Sequence, residues 1–318
     1  VIVLNSALEV YTLTDDVVYT DVTCFGNTDG TITISNAHGG SNNFEYSIDG
    51  GSTWQSNGNY TGLAPDTYDV QIRDANETSC VLTLDAALII AEPAVLSATV
   101  SSSDITCFGA NDGTITVSLP LGGSGNYEYS VDGGSNWQGS GNFSSLSPGS
   151  YNIQIRDAVA KSCVITLDAN LVLTEPNILE ATLASTDVTC FGAADGTITI
   201  SSTTGGSGSY EYSINGGVSW ESAGNYNSLT PATYDVRIRD ANVTSCEIVL
   251  DGTLLISEPA ILSASVNSTD ITCFGANDGT ITISSSAGGS GSYEYSIDGG
   301  VNWLSSSAYS SLTPGTYD

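Results

Sequence analysis

The chain has 318 residues, with 35 Asp and Glu against 5 Lys and Arg, a single His, and a net charge of -30. Five scattered cations cannot build a phosphate-binding surface or a polybasic patch, so nucleic acid and anionic membranes are excluded as partners. No run of about 18 apolar residues is present, which excludes direct membrane insertion, and 40% hydrophobic content is enough to bury a core. Methionine is absent even at position 1, so the chain is expected to be an internal piece of something longer.

The elements repeat with a period of 83 residues. Cys24, Cys107, Cys190 and Cys273 keep this step, as do Trp54, Trp137, Trp220 and Trp303. Cys80, Cys163 and Cys246 follow it too, and so do Arg73, Arg156 and Arg239. An EP pair closes each unit at Glu92-Pro93, Glu175-Pro176 and Glu258-Pro259, with Glu9-Val10 as the divergent first copy. The expected domains are therefore 1–92, carrying the tail of a preceding unit, then 93–175, 176–258 and a truncated 259–318.

Within the second unit, Leu96, Ala98 and Val100 alternate with polar residues, and GTITVS at 113–118 is a β-branched run. A GGSGN loop follows, then Tyr127, Tyr129 and Val131 alternate with Glu128 and Ser130. Asp132-Gly133-Gly134 predicts a hairpin, because glycine accepts the positive φ of tight turns. Tyr151, Ile153 and Ile155 form the next apolar face, and Cys163, Ile165 and Leu167 the last. No helical period is found, so six to eight short strands per unit predict an all-β, immunoglobulin-like β-sandwich array, elongated by tandem repetition. The segment from Leu146 to Tyr151 predicts a tyrosine corner, repeated at Leu63 to Tyr68, Leu229 to Tyr234 and Leu312 to Tyr317.

TCFGANDGTIT, GGSGSYEYSIDGGVNW, LTPGTYD and YDVRIRDANVTSC, read with the EP pair, resemble the SprB-type repeat of Bacteroidota cell-surface proteins. The resemblance covers nearly all of the chain; only about the first twenty residues depart, with Val10 for Pro and Asp15 where later units have Ala. It implies a long surface adhesin exported by type IX secretion, of the kind used in gliding motility, and hence an extracellular location on a bacterial surface. It carries no catalytic residues.

Cys24 and Cys80 both read as inward-facing, so the expected disulfides are Cys24–Cys80, Cys107–Cys163 and Cys190–Cys246, each letting a domain fold alone. Cys273 would then pair beyond residue 318. The rival, Cys80–Cys107 and its repeats, would staple neighbouring units across the EP junction; the loop-closure energies of the two are too similar to separate them. With no CxxC and no recurring His, zinc is not expected.

Acids recur at the seams, and Glu92, Asp104, Glu175, Asp187, Glu258 and Asp270 are the candidates for holding calcium; turn formation and a solvated surface are the alternative. No other cofactor is expected. His38 has no counterpart in the other units and reads as a loop residue. The GGSG loops join strand to strand without a helix to hold an anion and read as turns. Phe44, Tyr46, Ile48 and Trp54 read as core, with a sugar-binding platform as the rival. Arg73 is placed opposite Glu45 across two strands.

The combined reading is a non-enzymatic array: the stalk or filament of a surface adhesin. A multivalent carbohydrate-binding array and a laterally self-assembling filament or sheath are the alternatives. Expected partners are other copies or neighbouring repeats of the chain, and surface polysaccharide.

Overall fold

The computed structural model describes residues 14–318, and every regular element in that range is a strand. The divergent Glu9-Val10 pair lies outside the described residues. In the first repeat the strands are β1 (Thr14–Thr20), β2 (Gly30–His38), β3 (Phe44–Ser47), β4 (Asn59–Leu63), β5 (Asp66–Asp74) and β6 (Val81–Ile90). The second repeats them as β7 (Ser97–Ser103), β8 (Gly113–Leu121), β9 (Tyr127–Ser130), β10 (Asn142–Leu146), β11 (Gly149–Asp157) and β12 (Val164–Leu173). The third has β13 (Glu180–Thr186), β14 (Gly196–Thr204), β15 (Tyr210–Ser213), β16 (Asn225–Leu229), β17 (Ala232–Asp240) and β18 (Glu247–Ile256). In the fourth, β19 (Ser263–Thr269), β20 (Gly279–Ala287) and β21 (Ala308–Leu312) are formed before the sequence stops at Asp318.

Each complete repeat is a sandwich of two three-stranded antiparallel sheets, ordered β1-β2-β4 and β3-β5-β6 in the first. This is the ABE and CFG arrangement of an immunoglobulin-like fold. The alternation seen in the sequence is the cause: along β2 the residues Gly30, Ile32 and Ile34 are buried while their neighbours are half-buried, and along β5 Val70, Ile72 and Asp74 face inward. The first core gathers Val22, Ile32, Ile34, Val70, Leu88 and Ile90, with Tyr46, Ile48 and Tyr68 packed against it. Four tyrosine corners form as expected: the hydroxyls of Tyr68, Tyr151, Tyr234 and Tyr317 donate to the carbonyls of Ala64, Ser147, Thr230 and Thr313 at 2.7–2.9 Å.

Strand β10 and its counterparts carry no sequence alternation. Only Phe143 and Leu146 of NFSSL are half-buried, and Ser145 sits at φ 58°, where the pairing with β8 shifts register. The tryptophans also depart from expectation: none belongs to a core. Trp54 is half-buried, donates its indole N–H to the Gly51 carbonyl at 2.9 Å, and lies under the Arg73 guanidinium at 4.3 Å.

The described residues divide into two compact units, those up to Ile105 with Asn111–Thr174, and Thr106–Ala110 with Glu175–Asp318.

Candidate functional site: the seam between repeats

The long last strand of each repeat decides where the cysteines can meet. Cys80 immediately precedes β6, whose ten residues span roughly 30 Å at about 3.3 Å per residue. Cys24 belongs to the opposite end of that strand. The Val22 amide donates to the Ala91 carbonyl at 3.1 Å, and the Ala91 amide donates to Asp21 Oδ1 at 2.8 Å. A disulfide needs Cα atoms within about 7 Å. Cys24 and Cys80 therefore stand at opposite poles of one repeat, and the expected pairing Cys24–Cys80 does not form.

The bonds that form are Cys24–Cys163 and Cys107–Cys246, each spanning 139 residues, with Cα separations of 5.3 and 5.4 Å. The expected pairs Cys107–Cys163 and Cys190–Cys246 are thereby overturned, as is the rival Cys80–Cys107. Each observed bond joins the first cysteine of one repeat to the second cysteine of the next. Cys80, Cys190 and Cys273 are unpaired and exposed. Facing inward was the property read from the sequence; which pole each cysteine occupies was the property that mattered.

The loop that delivers Cys24 is built for the purpose. Asp29 accepts from the Thr23 amide at 2.9 Å and from the Thr23 hydroxyl, and these two bonds hold its carboxyl below the usual carboxylate range. Gly26 takes φ 77°, and its amide donates to Glu92 Oε2 at 3.0 Å. The loop is thus fastened to the EP junction of its own repeat while its cysteine enters the next. Cys24 is 9% exposed and packs in the second repeat's core, beside Leu96, Ile105, Ile155 and Cys163. A shallow cleft of about 180 Å³ remains there, lined in part by Phe25, Pro93, Val95 and Val164.

On the receiving side, the GGSG loop is a clamp. The Gly123 amide donates to the Ala94 carbonyl at 3.0 Å, and Ser124 donates both its amide and its hydroxyl to Asp157. Asp157 is 2% exposed and also accepts from the Val159 and Ala160 amides at 2.8 and 2.9 Å. Its counterpart Asp74, 4% exposed, has its pKa lowered to about 2, chiefly by the Ser41 hydroxyl and amide. In the sequence Asp74 is one of the acids that recur by unit, but nothing there marks it as buried.

Each calcium candidate at a complete seam accepts a backbone amide. Glu92, Glu175 and Glu258 accept from Gly26, Gly109 and Gly192 at 3.0, 2.8 and 2.9 Å. Asp104 and Asp187 accept from Thr174 and Ser257, both at 2.7 Å, and the Ser257 amide lowers the Asp187 pKa. Asp270 stands exposed at the same place in the fourth repeat. Among the described residues, no three His, Cys, Asp or Glu side chains are grouped as a metal site requires.

The recurring cation pairs as expected. Arg73, Arg156 and Arg239 contact Glu45, Glu128 and Glu211 at 2.5–2.6 Å. Each guanidinium also covers one face of a tryptophan at 4.2–4.3 Å, which takes that face from any sugar platform. In the fourth repeat the sequence ends before the equivalent arginine, and Trp303 is 57% exposed.

The SprB repeat family model matches residues 17–53, 99–136, 182–219 and 265–302, once in every 83-residue unit. That family is a structural repeat of cell-surface proteins rather than an enzyme family. Among solved structures, the three N-terminal domains of the Highly Immunogenic Outer Capsid protein (Hoc) of bacteriophage RB49 align with 77% of this chain and 95% of that one. Identity there is 10% and the TM-score 0.35. No curated protein sequence matches the chain.

Proposed function

The chain belongs to the SprB-repeat family, and from that premise we propose that it is the stalk of a long bacterial surface adhesin serving attachment or gliding motility. The observation that carries this reading is the disulfide separation of 139 residues, longer than the 83-residue repeat. Bonds of that kind serve the continuity of an array rather than the folding of one domain. Disulfides persist in oxidising surroundings outside the cytoplasm, and a net charge of -30 keeps a long chain soluble and apart from its neighbours. Surface polysaccharide and further copies of the chain are the partners we propose, and no catalytic role is assigned.

The test is labelling of intact cells of the source organism with antibodies raised against residues 93–258, together with in-frame deletion of the repeats. Label on the outer surface, and loss of attachment or gliding without loss of growth, is the expected result. Label confined to the cell interior would refute the reading.

A further inference from the structure

Two covalent routes cross the seam between the first two repeats. One is the backbone, which leaves the end of β6 and passes through Glu92-Pro93 to β7. The other leaves the same pole through the loop fastened to Ala91 and Glu92, crosses Cys24–Cys163, and lands at the start of β12. The bonds Cys24–Cys163 and Cys107–Cys246 also interleave, since Cys107 precedes Cys163. We propose that the disulfide route, not the EP linker, carries tension between repeats, and that the chain stays in one piece when the linker is cut.

The argument is one of path length. From Cys24 to Cys246 the shortest covalent path takes the first disulfide, returns along residues 163 to 107, and takes the second. It uses about a quarter of the backbone between those residues. Segment 80–107, which contains the EP linker, is not on that path. It is still slack when the disulfide path is taut.

In the folded state the same route loads one strand of the sandwich. Force enters the second repeat at Cys163, the start of β12, and leaves by the Cys107 loop. That loop is tied to the far end of β12 by Ile105 donating to the Thr174 carbonyl at 3.0 Å and by Thr174 donating to Asp104. Tension therefore runs along β12, which is paired with β11 from Gly149↔Leu173 to Arg156↔Val164. Both load points lie at the ends of β12, so the tension follows the covalent backbone of that strand rather than its ladder with β11. This inference concerns the covalent path alone and holds or fails whatever surface displays the chain.

The test places a single Lys-C site between Cys80 and Cys107, in the linker in the first variant and in β7 in the second. Lys161 is the chain's only lysine, so the pair Ala94→Lys with Lys161→Gln leaves one site, after residue 94. Ser101→Lys with Lys161→Gln is the second variant, in case the first does not fold. Each oxidised protein is cleaved in urea, where only covalent links hold fragments together. One band at full mass without reductant, and two fragments with it, is the expected result; release of fragments without reductant overturns the proposal. Pulling the native chain by its ends gives a second readout. At about 3.5 Å per residue the oxidised chain should extend to roughly 550 Å and the reduced chain to roughly 1,100 Å. Equal lengths would also overturn it.

Discussion

The interior of a repeat and the seam between repeats are organised by different rules. Inside, residues two apart share a face, and Ile32 with Ile34 or Val70 with Ile72 bury themselves through that local alternation. At the seam, Cys24 is placed by the far end of β6 and bonded to a residue 139 positions away. Local periodicity builds the sandwich, whereas the length of one strand decides how sandwiches are joined. An interior change should therefore damage one repeat, and a seam change should uncouple two.

The largest effect should come from the seam. Cys24→Ser opens a loop of 139 residues, and loop-closure entropy puts the loss at about 5 kcal/mol. Thermal unfolding should then resolve a first repeat that melts independently of the second; a single unsplit, unshifted transition would break the comparison. Ile153→Ala, at a fully buried position, should cost about 3 kcal/mol and leave the disulfide pattern intact on peptide mapping. Altered pairing in that variant would mean that core and seam are not separate.

Gly122→Ala sharpens the boundary between the two rules. Gly122 has φ 86°, and a Cβ there would run into the carbonyls of Ala94 and Val95. A loss of about 2 kcal/mol in denaturant unfolding is expected.

Asp15 tests the interior from the other side. It stands where later repeats carry Ala98, Ala181 and Ala264, and burial together with Asp16 pushes its pKa up to about 6. The folded state thus binds this proton more tightly than the unfolded chain does. Its effect on stability is most favourable below about pH 4 and declines as pH rises to about 6. Because the side chain is partly solvated, Asp15→Ala should stabilise by only about 1 kcal/mol at pH 7, with no gain at pH 3.5. A stabilisation independent of pH would count against this account of Asp15. The smallest effect is expected from calcium. Glu92, Glu175, Glu258, Asp104 and Asp187 each accept a backbone amide, so calcium and chelator at constant ionic strength should give the same melting temperature. A rise of several degrees with calcium would restore the acids as ligands.

The fold was largely legible because its determinants are local. The β-branched run at 113–118, the Asp-Gly-Gly turn and the corner tyrosines each act on near neighbours, and the 83-residue period repeats them from unit to unit. Strand β10 was hidden because a five-residue strand with left-handed Ser145 leaves no alternation to read. The tryptophans misled because an aromatic beside a core strand reads as core, while the arginine that covers it lies about twenty residues further along. The staple was hidden for a different reason: the rival pairings differ little in loop entropy, and only the length of β6 separates the poles. That length was present in the run from Val81 to Ile90, but it speaks only once Cys24 is known to sit beside Ala91.

One digestion tests the staple most directly. The five tryptic sites, Arg73, Arg156, Lys161, Arg237 and Arg239, lie between Cys24 and Cys246. Complete digestion of the unreduced, denatured chain should give two disulfide-linked species. One joins 1–73 to 162–237 through Cys24–Cys163, and the other joins 74–156 to 240–318 through Cys107–Cys246. Recovery of all four large fragments in a single linked species would mean that the bonds lie within repeats, and four separate fragments would mean that Cys80 pairs with Cys107. Either result would contradict the interleaved staple.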